Sequence, residues 1–145
     1  MIDGLAESET ATFAAEYVAQ IGETKYASFT DAITEAKSGE TVKLLDNITL
    51  EVGYTGIRKD LIINLNGKVI SGGALDVYNK LTITDSSTEK TGAINGVKHG
   101  VWVNPGAELT VESGTITSGS GYTHKIVRII LKNILLNKIF SSCQI

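Results

Sequence analysis

Ala74-Leu75-Asp76-Val77, followed by Lys80-Leu81-Thr82-Ile83-Thr84-Asp85-Ser86, has a second version downstream: Gly100-Val101-Trp102-Val103, then Glu108-Leu109-Thr110-Val111-Glu112-Ser113. Val101 follows Leu75 by 26 residues and Leu109 follows Leu81 by 28, while Leu81 itself follows Leu61 by 20. Within each copy apolar and polar residues alternate, which is the pattern of a strand with one buried face. Self-similarity at roughly 20–50 residues marks a solenoid, whose units bury their apolar faces only by stacking on one another. Slippage between copies is absorbed by loops such as 86–91.

The same period extends outward in both directions. Val42, Leu44, Ile48 and Leu50 alternate around Asp46-Asn47, and Leu61, Ile63 and Leu65 alternate up to Asn66-Gly67, after which Val69 is expected to point inward. Downstream, Ile116 continues the series. The predicted interior is Leu61, Ile63, Leu65, Leu81, Ile83, Val101, Val103, Leu109 and Val111. One competing reading stays open. Asn-Gly between alternating strands is the strongest short hairpin signal, so an antiparallel sandwich would pair Leu65 with Val69.

Upstream of residue 41 the period is helical. Phe29, Ala32, Ile33 and Ala36 form one apolar stripe, with Ser28 placed to cap the start and Asp31 in the first turn. Lys37 in the last turn and Gly39 just beyond predict the end, giving a helix over 29–37. A short strand is expected over 17–21, a turn at Gly22-Glu23 and a return through 25–27. Residues 1–16, acidic and rich in Ala and Thr, read as a linker.

The stretch Val18-Ala19-Gln20-Ile21-Gly22-Glu23-Thr24-Lys25-Tyr26-Ala27-Ser28-Phe29-Thr30-Asp31-Ala32-Ile33, followed by Ser38-Gly39-Glu40-Thr41-Val42-Lys43-Leu44-Leu45, resembles the opening of right-handed β-helix domains in the pectin-lyase-like superfamily. Leu65-Asn66-Gly67-Lys68-Val69-Ile70-Ser71-Gly72 and Leu109-Thr110-Val111-Glu112-Ser113-Gly114-Thr115-Ile116 are similar to rungs of large repetitive surface proteins of gut bacteria. The resemblance covers residues 17–121. It implies an all-β fold, a right-handed parallel β-helix closed by a short N-terminal capping helix. About four rungs are present, so the solenoid is read as truncated. The superfamily includes lyases, hydrolases, adhesins and phage spikes, so fold alone does not choose among them.

Charge and composition exclude several functions. Residues 1–121 carry 16 acids and nine bases, whereas 122–145 carry four bases and no acid. An acidic body is a poor partner for nucleic acid. The single cysteine, Cys143, makes an internal disulfide or a CxxC metal site impossible. No apolar run reaches the roughly 18 residues of a membrane span, and no signal peptide is visible. After Tyr122 the glycines and acids stop. Lys125, Arg128 and Lys132 would share one helix face. This tail reads as a basic amphipathic helix, as a cap over the open coil, or as sequence foreign to the fold.

Candidate chemistry is sparse. Superfamily enzymes set several acids along one face. Asp76, Asp85 and Glu112 are the acids placed to do so, with Arg58 the only arginine of residues 1–121, and Asp85 and Glu112 both end strands, so a stacked pair is conceivable. The bland reading is that they cap turns. His99 and His124 are too far apart to form a metal set or a triad, and His99 reads as a solvated loop residue. Asp46-Asn47 is a calcium-type turn without the acid density of a calcium loop, so no cofactor is expected and calcium at such turns is the one alternative. Trp102, between inward Val101 and Val103, points outward and could stack on a sugar with Tyr78 or Tyr54.

The function expected is a non-catalytic structural or adhesive module of a bacterial secreted or cell-surface protein. Its ligand candidates are Trp102, Tyr78, Asp85 and Glu112, and its partner is a polysaccharide or host-cell glycan. Self-association through the open solenoid end is also expected. The alternative is the N-terminal part of a polysaccharide lyase or glycoside hydrolase whose catalytic rungs lie downstream.

Overall fold

The structure is a computed structural model that describes residues 16–118 and the backbone pairing of 129–131. Residues 1–15 of the linker read over 1–16 and the helix face of Lys125, Arg128 and Lys132 lie outside the described residues, as do His124 and Cys143.

The chain opens with a hairpin, β1 (Ala19–Ile21) and β2 (Thr24–Tyr26), turned at Gly22, whose φ of 58° suits glycine. Helix α1 (Phe29–Glu35) follows. Ser28 caps it, its Oγ accepting from Asp31 N at 3.2 Å. The helix ends at Glu35, two residues before the expected Lys37. Its final carbonyls find a distant donor instead of the expected local glycine cap, because Lys59 Nζ donates to Thr34 O at 2.9 Å and Ala36 O at 2.5 Å. Gly39 adopts a φ of 90° and donates to Asp60 O.

Three parallel sheets then wind around one core. The first contains β3 (Thr41–Leu44), β6 (Leu61–Asn64), β9 (Lys80–Thr84), β12 (Glu108–Val111) and β14 (Ile129–Leu131), and it is extended at its N-terminal edge by β1 and β2. The second contains β4 (Ile48–Thr49), β7 (Val69–Gly72), β10 (Ala93–Gly96) and β13 (Thr115–Thr117). The third contains β5 (Tyr54–Ile57), β8 (Ala74–Val77) and β11 (Val101–Val103). The result is a right-handed parallel β-helix of about four turns, the hand that parallel crossovers favour. Its first coil is closed by the hairpin and by the Phe29, Ala32 and Ile33 face of α1.

The sequence repeat is the stacking register. Leu75 pairs with Val101, Leu81 with Leu109 and Leu61 with Leu81. All nine predicted interior residues are buried. Asn66-Gly67 is a tight turn with both φ angles positive, at 51° and 76°. It bends the chain between two sheets and forms no hairpin, for β6 and β7 belong to different sheets. The corner shifts the pattern by one residue, so Ile70 points inward and Val69 does not. The tail also departs from expectation. Ile129 pairs with Leu109 and Leu131 with Val111, adding a strand in register where a helix, a cap or foreign sequence is expected.

Candidate functional site

The outer face of the third sheet brings together Tyr54, His99 and Trp102. Trp102 lies outward on β11, as alternation requires, opposite Asp76 of β8. Its ring meets His99 at 4.9 Å and Tyr54, from β5, at 6.0 Å, both edge-to-face. Tyr54 and His99 lie nearly parallel at 6.4 Å. These are the offset and edge-to-face arrangements that aromatic quadrupoles favour. His99 is therefore not the solvated loop residue expected. It is half-buried, and burial followed by the charge of Lys98 holds its imidazole below the usual range.

Beside the rings a groove of about 110 Å³ runs over the backbone of Gly72, Gly73 and Ala74. Val52, Tyr54 and Val97 rim it at 82%, 56% and 59% exposure, which makes this corner the most apolar exposed patch among the described residues. Tyr78 is engaged elsewhere, with the Arg58 guanidinium 4.0 Å from its ring centroid. Asp76 accepts from Asn104 Nδ2 at 2.7 Å.

Asp85 and Glu112 do not form a stacked pair. Asp85 is 1% exposed and turned into the corner between the first two sheets. Burial pushes its carboxyl up, but donors from Ser87 N and Oγ, Gly92 N and Gly67 N outweigh that and hold it below the usual range. The residue stacked on it from the next coil is Ser113, whose Oγ accepts from Asp85 N at 2.7 Å. Glu112 falls one register position earlier, its N–H donating to Ile83 O. Among the described residues no three His, Cys, Asp or Glu side chains converge on one point, and no helix is long and apolar enough to cross a membrane.

Sequence reasoning sent Trp102 outward and offered Tyr54 or Tyr78 beside it; of these Tyr54 meets it, and the His99 contact was missed. The signal lay in β5, whose Tyr-Thr-Gly-Ile offers a single strongly buried residue, Ile57. Comparison with protein-family models, curated proteins and solved structures finds no match for this chain.

Proposed function

We propose that this chain is a non-catalytic structural or adhesive β-helix module of a bacterial secreted or cell-surface protein, of the pectin-lyase-like kind its opening segment resembles. The observation that carries this reading is the state of Asp85. The acid best placed by sequence for catalysis is spent on four hydrogen bonds that hold a turn together. A carboxylate so held below its usual range, and shut away from solvent, is a poor general acid near neutral pH.

The outer faces fit adhesion better than chemistry. Thr49, Ser71, Asn95 and Thr117 stand in one row across the second sheet, with Thr117 Oγ1 donating to Asn95 Oδ1 at 2.8 Å. The Tyr54–Trp102 corner supplies ring faces against which the C–H face of a sugar can pack. A polysaccharide or host-cell glycan is the partner this surface suits.

Affinity electrophoresis of the chain through gels containing defined soluble polysaccharides tests the proposal, together with an assay for newly formed reducing ends or unsaturated sugars. Retardation by at least one polysaccharide, lost in Trp102→Ala and without product formation, is expected. Turnover would overturn the non-catalytic reading, and absence of any retardation would overturn the adhesive one.

A further inference from the structure

We propose that the groove between the N-terminal cap and the first coil takes a neutral polysaccharide chain, continuing the path that starts at the Tyr54–Trp102 corner. The inference rests on the adhesive reading and narrows its partner to chains without acidic sugars.

The groove exists because the hairpin covers one sheet of three. Strands β1 and β2 extend the N-terminal edge of the first sheet, whereas β4 and β5 are the outermost described strands of the second and third. Between the cap and these two edges lies a cavity of about 480 Å³, within the range of roughly 300–1,000 Å³ found for ligand sites. Phe29, Ile48 and Leu50, all buried, give it an apolar floor. Val52 and Tyr54 line both this cavity and the smaller groove over 72–74, so one path joins it to the aromatic corner.

Its walls offer what a neutral sugar needs. Thr30, Asn47 and Thr49 are exposed along it, and Thr55 is half-buried. The hydroxyls of Thr30, Thr49 and Thr55 make no hydrogen bond to the described residues, and Asn47 spends its Oδ1 on Val69 N, which leaves its Nδ2 to donate. The backbone adds a donor and an acceptor. Leu50 N donates to Ser71 O and Gly73 N to Leu50 O, so Leu50 faces β7 and its neighbour Thr49 turns N–H and C=O the other way, toward the groove. Sugar hydroxyls both donate and accept, which matches this mixed set, and a sugar's C–H face suits the Tyr54 ring. Glu51, exposed, is the one charged residue lining the groove among the described residues. Its carboxylate repels a chain of acidic sugars and leaves a neutral chain unopposed. An extended peptide fits less well, because β4 is two residues long and offers too short an edge for an incoming strand.

The experiment is affinity electrophoresis of the full chain through gels containing a neutral β-glucan or galactomannan and, separately, polygalacturonate. Retardation by at least one neutral polymer, and none by polygalacturonate, is expected. Thr49→Val removes one hydroxyl and should weaken the retardation about 2- to 10-fold. Thr30→Tyr fills the groove and should abolish it. Glu51→Lys reverses the one charge and should let polygalacturonate retard the chain, a gain that a damaged fold would not produce. Retardation unchanged in Thr49→Val and Thr30→Tyr but lost in Trp102→Ala would confine the sugar to the aromatic corner and leave the groove to a peptide strand. That result would overturn this inference and spare the adhesive reading. Retardation of the native sequence by polygalacturonate would overturn the restriction to neutral chains, and no retardation by any polymer would overturn both readings together.

Discussion

Gly92 N donates to Asp85 Oδ2 across 2.6 Å, tying together two residues that flank the six-residue corner loop 86–91. The contact is close because Gly92 has no side chain. A Cβ there would stand 2.5 Å from Leu65 Cβ and 2.7 Å from the same carboxylate oxygen. The loop is the longest of the corners between the first two sheets, and Asp85 lets it be long. Its carboxylate gathers the loop's start through Ser87 and its end through Gly92, and it reaches the coil below through Gly67.

Replacing Asp85 with alanine leaves these donors without their acceptor beside the core. An orphaned buried donor costs about 1–3 kcal/mol, and the loss here involves several. We expect Asp85→Ala to lower stability by roughly 3 kcal/mol, read as a lower urea midpoint with little change in slope. A change under about 0.5 kcal/mol would mean that the loop is held by other contacts.

The same carboxylate sets an acid limit. Its native pKa is depressed, so the unfolded chain binds the proton more readily than the native one. Its stabilisation is complete above the ordinary aspartate value of about 3.9 and is lost as the pH falls through the native value beneath it. Urea melts at descending pH should therefore show a steeper acid loss in the native sequence than in Asp85→Asn. Parallel curves for the two would contradict the assignment.

Lys59 makes a different long-range tie, from the end of the first coil to the last turn of α1. In a seven-residue helix, the carbonyls of Thr34 and Ala36 are among the few that lack intrahelical partners. A cation at that terminus also suits the helix dipole. Lys59→Met keeps the aliphatic stem and removes both bonds, at an expected cost of about 1 kcal/mol. For a chain of this size that is a fall in melting temperature of roughly 3–5 °C. An unchanged melting temperature would mean that water caps the helix equally well.

How far the sequence reveals this fold depends on strand length and on corners. The offsets of 20, 26 and 28 are true stacking distances, because Leu61, Leu75, Leu81, Val101 and Leu109 sit in strands with enough alternation to be recognised. The second sheet was largely invisible. Its strands β7 and β10 each bury one large residue, Ile70 or Ile94, among glycine, serine and asparagine, too little for a period. The Val69 error came from reading Asn66-Gly67 by its local chemistry. That chemistry does make the turn, but whether the turn closes a hairpin or bends a coil is decided by the stacking partners. The site was half legible for the same reason. Alternation sent Trp102 outward, but Tyr54 lies 48 residues away and reaches it only because β5 and β11 flank β8.

The tail supplies the last test. Strand β14 continues the first sheet in the same parallel register that joins β9 to β12, with Leu109, Thr110 and Val111 opposite Ile129, Ile130 and Leu131. A solenoid's stability is a sum of coils and their interfaces, and the outermost strand of each sheet is an exposed template for pairing. Deleting 122–145 therefore removes an interface and leaves β12 as a bare edge. The deletion also removes four positive charges from beside an acidic body. The expected outcome is a melting temperature lower by several degrees and a concentration-dependent increase in size by light scattering, as β12 edges find one another. A shortened chain that stays monomeric and melts where the full chain does would show that β14 adds nothing to the fold, and that the tail is foreign to it.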